Sequence, residues 1–121
     1  MVPFINCSSK AVIKMRGELI WLLDRLNLTS DDLLFKDDVL DKCCTEGQNE
    51  MDIFLVDHNE LSTGWKLSHP SIKYTVRAII DHHADAKKYL DAEPRIVKTC
   101  GSNASLMLDF LSKNPELSER L

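Results

Sequence analysis

The sequence predicts an α/β fold with a mainly parallel sheet flanked by helices. Apolar, β-branched runs such as Met51–Val56 and Val76–Ile80 alternate with segments of helical periodicity, as expected for a parallel sheet. Neither run contains glycine or proline, so both suit a buried strand. The segment between them is long enough for the crossover that parallel neighbours require.

Each further element follows from the same kind of pattern. A helix is predicted over Lys14–Leu26, because its leucines recur at three- and four-residue spacing and are expected to form core. Asp37–Gly47 is expected to be a short helix or a loop, and a helical turn is expected from Pro70 onward. The remaining candidates are the strands Val2–Asn6, Leu33–Phe35 and Arg95–Lys98 and a helix opened by Gly101–Ser105.

Composition excludes several classes of protein. The 121 residues suit one soluble domain, and a net charge of -4 argues against a nucleic-acid partner held by bulk electrostatics. We find no apolar run long enough for a membrane span and no signal peptide, so no membrane partner is expected. Four cysteines without a CxxC spacing indicate reduced thiols and a cytoplasmic protein.

Two of the predicted strands end in the same chemistry. Met51–Val56 runs into Asp57, and the later strand runs into Asp81, His82 and His83. If the strands are neighbours, these side chains emerge at one sheet edge, where ligands bind in open α/β sheets. A carboxylate with an imidazole suits Mn, Mg or Co, and such an ion lowers the pKa of a bound water. The alternative is that the histidines are solvated loop residues without a role.

A third constellation is glycine- and serine-rich. Gly101 and Ser102 open a helix, and the backbone N–H groups at a helix start attract anions. A simple N-cap at Ser102 or Asn103 is the more common meaning of such a segment. Beside two metal-type motifs, it is interpreted as the phosphate side of a pocket.

These motifs together resemble a known family. Leu55–Asn59, Ile79–His83 and Gly101–Ser105 are similar, in order and spacing, to successive motifs of the DHH phosphoesterase superfamily. The closest resemblance is to the branch of exopolyphosphatases, prune-type proteins and manganese-dependent inorganic pyrophosphatases. Within that branch, Asp81–Val97 and the N-terminal segment look most like a fungal-type exopolyphosphatase.

The resemblance implies a role for each motif residue. Asp57 resembles a carboxylate that bridges two metal ions, Mn or Mg, and His82 resembles a ligand of one of them. His83 resembles the histidine that contacts the attacked phosphate, and Asp81 resembles the buried acid that orients its neighbours. Asn59, Gly101 and Ser102 are the implied supporting or phosphate-side residues. In the family, a metal-bridged hydroxide releases orthophosphate from polyphosphate ends or from pyrophosphate.

The departures from the family pattern are expected to matter. Residues 1–121 resemble part of a DHH domain, without the Asp-x-Asp pair of its first strand, a later aspartate or the second, substrate-binding domain. Asn103 stands where the family usually has cysteine. We therefore expect weak or absent activity from these residues alone. The alternatives are a non-catalytic fragment or remnant, an inorganic pyrophosphatase and a DHH-type nuclease.

Overall fold

The predicted α/β class is confirmed by the arrangement of helices and strands. The structure, a computed structural model, describes residues 3–7 and 10–118, and the chain divides into two compact units, Met1–Asn49 and Glu50–Leu121. The chain contains helices and a three-stranded sheet in which both pairs of neighbouring strands are parallel. In the described part of the chain, none of the helices combines the length and the apolar character needed to cross a membrane.

The first unit is helical. Its elements are α1 (Lys10–Lys14), α2 (Gly17–Arg25), a 3-10 turn (Ser30–Asp32) and α3 (Lys36–Thr45). The single helix predicted over Lys14–Leu26 is therefore wrong in its start, because α1 ends at Lys14 and α2 begins at Gly17. Glycine is a poor residue for a helix interior and is tolerated better at an end. The helix-or-loop alternative for Asp37–Gly47 is resolved in favour of a helix.

Two strand predictions in this unit reduce to a single bridge. Ile5 pairs with Phe35 in one isolated parallel bridge, in which the Ile5 N–H donates to the Leu34 carbonyl at 2.8 Å. Val2 lies outside the described residues. The stretch that contains Phe35 is too short for a ladder, because it lies between the 3-10 turn and the first residue of α3.

The prediction that the whole leucine stripe of α2 forms core is wrong. Leu23 is buried at 6% exposure, whereas Leu22 and Leu26 remain 46% and 58% exposed. Residues four apart share one row on a helix surface, so Leu19 and Leu23 form one row and Leu22 and Leu26 form another. Only the first row is covered, and the apolar face of α2 is wider than the surface packed against it.

The second unit contains the sheet. Its elements are β1 (Glu50–Val56), α4 (Thr63–Ser68), β2 (Lys73–Asp81), β3 (Arg95–Val97), α5 (Asn103–Lys113) and α6 (Pro115–Ser118). The strand order is β1-β2-β3, with Val56 opposite Ile80 and Asp81 opposite Val97. The three strands therefore end at one edge of the sheet, as the two strand-end motifs require.

The sheet is held by a small apolar core. Ile53 and Leu55 of β1 and Ile79 and Ile80 of β2 are buried, which explains why Ile53–Val56 and Ala78–Ile80 are apolar throughout. On the face of β1 that carries Phe54, α5 contributes Phe110, and the two rings meet edge to face with centroids 6.2 Å apart.

The crossover from β1 to β2 differs in part from the prediction. A turn does form at Pro70, where the Ile72 N–H donates to the His69 carbonyl at 3.2 Å. The helix of this connection, α4, lies before Pro70 and was not predicted. The helix contains Trp65, whose side chain is 2% exposed, so one buried aromatic residue holds the crossover in place.

Candidate metal centre

Asp57 leaves β1 in an unusual backbone conformation. Its φ is 65°, in the left-handed region that aspartate tolerates better than most residues. Its N–H donates to the Ile80 carbonyl at 3.0 Å, so the hydrogen-bond ladder with β2 extends one residue beyond the strand. The chain then turns away, and the carboxylate is left 60% exposed at the sheet edge.

His82 points one ring nitrogen at that carboxylate. Its Nδ1 lies 3.0 Å from the Cys100 carbonyl, and because a carbonyl only accepts, Nδ1 carries the hydrogen. Nε2 therefore holds the lone pair of the neutral ring, and it lies 3.3 Å from Oδ1 of Asp57. Metal-binding histidines typically donate their second nitrogen to a carbonyl or a carboxylate in this way.

His83 is oriented by Asp81. The Asp81 side chain is fully buried, and its Oδ1 accepts from the His82 N–H at 2.8 Å, the His83 N–H at 3.3 Å and His83 Nδ1 at 2.7 Å. Burial raises the pKa of Asp81, but the hydrogen bonds from His83 and Asn59 outweigh it and leave the pKa below its ordinary value. The same hydrogen bond from His83 to Asp81 raises the pKa of His83.

Asn59 joins this group to the following loop. The side chain is 5% exposed, and its Nδ2 donates to Oδ2 of Asp81 and, at 3.1 Å, to the Ala84 carbonyl. Its Oδ1 accepts from the Ala86 N–H at 2.9 Å. The amide is therefore bonded at both ends within the site.

The ligand atoms of Asp57, His82 and His83 all lie within 4.8 Å of one another. Nitrogen or oxygen ligands at roughly 2.1 Å from one ion lie roughly 3.0 to 3.4 Å apart, which agrees with the 3.3 Å between His82 and Asp57. When the imidazole is neutral, this contact brings two hydrogen-bond acceptors together, Nε2 of His82 and Oδ1 of Asp57. The contact therefore requires a positive charge between the two atoms. A divalent cation or a proton on His82 meets that requirement, so the donor set fits a metal ion.

Asp57 and His83 border an open cleft of about 360 Å³, whereas His82 does not line it. Its lining residues are Asp57, His58, Asn59, Glu60, Asp81, His83, Ala84 and Ala86. Gly101 and Ser102 are not among these lining residues. They follow Cys100, whose carbonyl holds His82, and Ser102 caps α5 by accepting from the Ala104 N–H at 3.3 Å.

Several contacts at the site were not anticipated from the sequence. The Cys100 carbonyl is a backbone group, so no residue type signals it. Lys88 forms an ion pair with Glu60 on the cleft wall. Arg95 donates from two guanidinium nitrogens to the two oxygens of Asp85 and so closes the base of the same loop. The sequence signal available for these ion pairs was the presence of oppositely charged residues on facing loops.

The fold and the cleft define an α/β protein with a candidate metal centre at the carboxyl ends of parallel strands. The chain is 36% identical over 110 residues to a Schizosaccharomyces pombe protein described as "Putative exopolyphosphatase". The alignment covers 91% of this chain but 27% of that protein, so the chain spans a minor part of its relative's length. No protein-family model matches the chain. The similarity supports a distant relationship to the family of that protein.

Proposed function

We propose that this chain carries the metal-binding part of a phosphoanhydride hydrolase of exopolyphosphatase type, which acts on polyphosphate ends in the cytoplasm. The observation that carries the proposal is the convergence of Asp57, His82 and His83 within 4.8 Å. The identity to the fission-yeast protein spans both strand ends and supports the choice of substrate class. Both the polyphosphate substrate and the membership of the DHH phosphoesterases are proposed for this chain.

The chain's own residues have distinct tasks in this proposal. Asp57 and His82 hold the ion, Mn or Mg, and Cys100 keeps the His82 lone pair directed at it through the Nδ1 hydrogen bond. A bound divalent ion supplies positive charge to the substrate and lowers the pKa of water. His83 is 57% exposed, and its hydrogen bond to Asp81 raises the pKa of the ring. In its protonated form, His83 donates a hydrogen bond or a proton from Nε2 to a phosphate oxygen in the cleft.

Gly101 and Ser102 contribute more modestly. The start of α5 lies beside them, and a helix start stabilises a nearby anion through its dipole. Because these residues do not line the cleft, we assign them to the outer phosphates of a long substrate.

A second candidate function is metal or phosphate binding without turnover. It is favoured by the size of the ligand set: over residues 3–7 and 10–118, the cluster consists of three side chains. Two-metal hydrolases hold their ions with more ligands than this, so the described residues suit one ion better than two.

The test is phosphate release from polyphosphate and from pyrophosphate by the purified 121-residue chain with Mn²⁺ or Mg²⁺, alongside nucleotide release from a short oligonucleotide. The proposal expects release from polyphosphate that is lost in Asp57→Asn and in His82→Ala. The matched control is Asp52→Asn, which removes an equally charged, exposed residue of the same strand.

The outcomes separate the candidates. Preferential cleavage of pyrophosphate or of the oligonucleotide would transfer the assignment to the pyrophosphatase or nuclease alternative. Mn²⁺ binding without any turnover would favour the non-catalytic candidate. Failure of the wild-type chain to bind Mn²⁺ in calorimetry would overturn the metal centre itself.

A further inference from the structure

We infer that Asn59 is the positioning residue of this centre: through Oδ2 of Asp81 it fixes the orientation in which His83 faces the cleft. The inference deepens the proposed function and rests on it for the meaning of the cleft. It starts from an asymmetry in how the two carboxylate oxygens of Asp81 are used.

The two oxygens of Asp81 have separate partners. Oδ1 gathers the donors of the two histidines, whereas Oδ2 receives Nδ2 of Asn59. Asp81 is fully buried, so a carboxylate oxygen left without a donor would carry an uncompensated desolvation penalty. Rotation of the carboxylate group would also misplace Oδ1. The amide of Asn59 therefore holds the carboxylate plane in which Oδ1 meets His83.

Asn59 also fixes the segment that follows the histidines. Its second contact from Nδ2 is the Ala84 carbonyl, and its Oδ1 accepts from the Ala86 N–H. The same side chain thus contacts the Asp81 carboxylate, which holds the His83 ring, and the backbone of residues 84 and 86 after it. A ring held this way keeps Nδ1 on Asp81 while the side chain lines the cleft.

The same two loops are joined by other contacts that do not touch Asp81. Glu60 pairs with Lys88, and the Leu61 N–H reaches the Tyr89 hydroxyl at 3.4 Å. These contacts make it possible to separate two effects: the joining of the loops to each other and the positioning of His83 through Asp81. Tyr89→Phe breaks only the Leu61–Tyr89 hydrogen bond, at a residue that does not line the cleft, and leaves the Asn59–Asp81 hydrogen bond in place.

The experiment uses the full chain without substrate. The ring tautomers of His82 and His83 are read from long-range ¹H–¹⁵N spectra at a pH where both imidazoles are neutral, and Mn²⁺ affinity is measured by calorimetry with the metal alone. The variants are Asn59→Ala and Asn59→Ser, with Tyr89→Phe as the control for the contact between the loops. Asp81→Asn, alone and combined with Asn59→Ala, completes a double-mutant cycle.

We expect His83 to be the Nδ1–H tautomer in the wild-type chain and a mixture in both Asn59 variants. Mn²⁺ affinity should fall by about 10-fold or more, as for other residues that orient metal ligands, because Oδ1 of Asp81 also accepts from the N–H of the ligand His82. His82, held by Cys100, should keep its tautomer. The control should stay within about twofold of wild type. Asn59→Ala should add little to Asp81→Asn, because both changes act through one carboxylate.

Three results would overturn the inference. The first is an unchanged His83 tautomer and affinity in both Asn59 variants, and the second is an equal loss in the Tyr89→Phe control. The third is failure of both variants to fold, which would assign Asn59 to the fold instead of the centre. If the wild-type chain binds no Mn²⁺, the proposed function fails, whereas the tautomer measurement still decides the role of Asn59.

Discussion

Nε2 of His82 lies 3.3 Å from Oδ1 of Asp57, although the two residues follow different strands. Parallel pairing of β1 with β2 places both strand ends at one edge, and the N–H of Asp57 extends the ladder to Ile80. The Cys100 carbonyl fixes the His82 ring from the other nitrogen. The contact between an imidazole and a carboxylate is therefore imposed by backbone geometry on both sides.

The left-handed backbone of Asp57 predicts different stabilities for two variants that both remove the carboxylate. Asn tolerates a φ of 65° almost as well as Asp, whereas Ala does not, and the left-handed region costs an L-residue about 1 to 2 kcal/mol. We expect Asp57→Ala to lower the free energy of unfolding by about 1 kcal/mol more than Asp57→Asn does.

Urea denaturation of both variants measures this difference, and Asp57→Gly serves as the control without a Cβ. Mn²⁺ binding should be weakened in all three variants, since each lacks the carboxylate. Equal stability of Asp57→Ala and Asp57→Gly would show that the left-handed conformation is not maintained in solution.

Much of the sheet edge was predictable because its signals are local. Apolar runs that end in Asp57 and in Asp81 identify both strands and the points at which they end, and parallel pairing of neighbours brings their ends together. The position of α5 was also predictable, since Ser102 is a good N-cap. The sequence was therefore sufficient to predict that the side chains at the two strand ends lie close together, as Asp57 and His82 do.

How those side chains are held was not predictable, because the groups that hold them lie far along the chain or in the backbone. The Cys100 carbonyl has no residue-type signal, and neither does the left-handed turn at Asp57. In α2, periodicity identified an apolar face but not which row of it is covered, since Leu22 and Leu23 carry the same side chain and differ only in what packs against them.

The two rows of α2 predict unequal effects of one substitution. Leu23→Ala removes a buried side chain and should lower the free energy of unfolding by about 2 to 5 kcal/mol. Leu22→Ala makes the same chemical change at a 46% exposed position and should stay within about 0.5 kcal/mol of wild type. Urea denaturation followed by circular dichroism compares them. A similar loss in both would mean that Leu22 is covered in solution.

The Asp85–Arg95 pair predicts a pH dependence with a definite sign. The hydrogen bond from Arg95 is the main reason that the pKa of Asp85 is lowered from 3.8 in the folded chain. A depressed folded pKa means that the pair stabilises the fold above the unfolded pKa and loses this effect as the pH falls through the folded value.

The carboxyl ¹³C shift of Asp85 should therefore titrate below its ordinary range. Arg95→Gln should raise that pKa, while Lys113→Gln, which breaks an ion pair with Asp109, should leave it unchanged.

Neighbouring residues at the start of α5 predict opposite changes in stability. Asn103 is 6% exposed, and both polar atoms of its side chain are buried without a hydrogen-bond partner. Such a group pays a desolvation penalty of about 1 to 3 kcal/mol, so Asn103→Ala and Asn103→Cys should leave the free energy of unfolding unchanged or raise it by about 1 kcal/mol. Ser102→Ala removes the N-cap hydrogen bond to the Ala104 N–H and should lower the free energy of unfolding by about 1 kcal/mol.

Thermal and urea unfolding of the three variants test the contrast. A marked loss of stability in Asn103→Ala would show that the amide has a partner in solution, such as a bound water, and that this partner contributes to the fold.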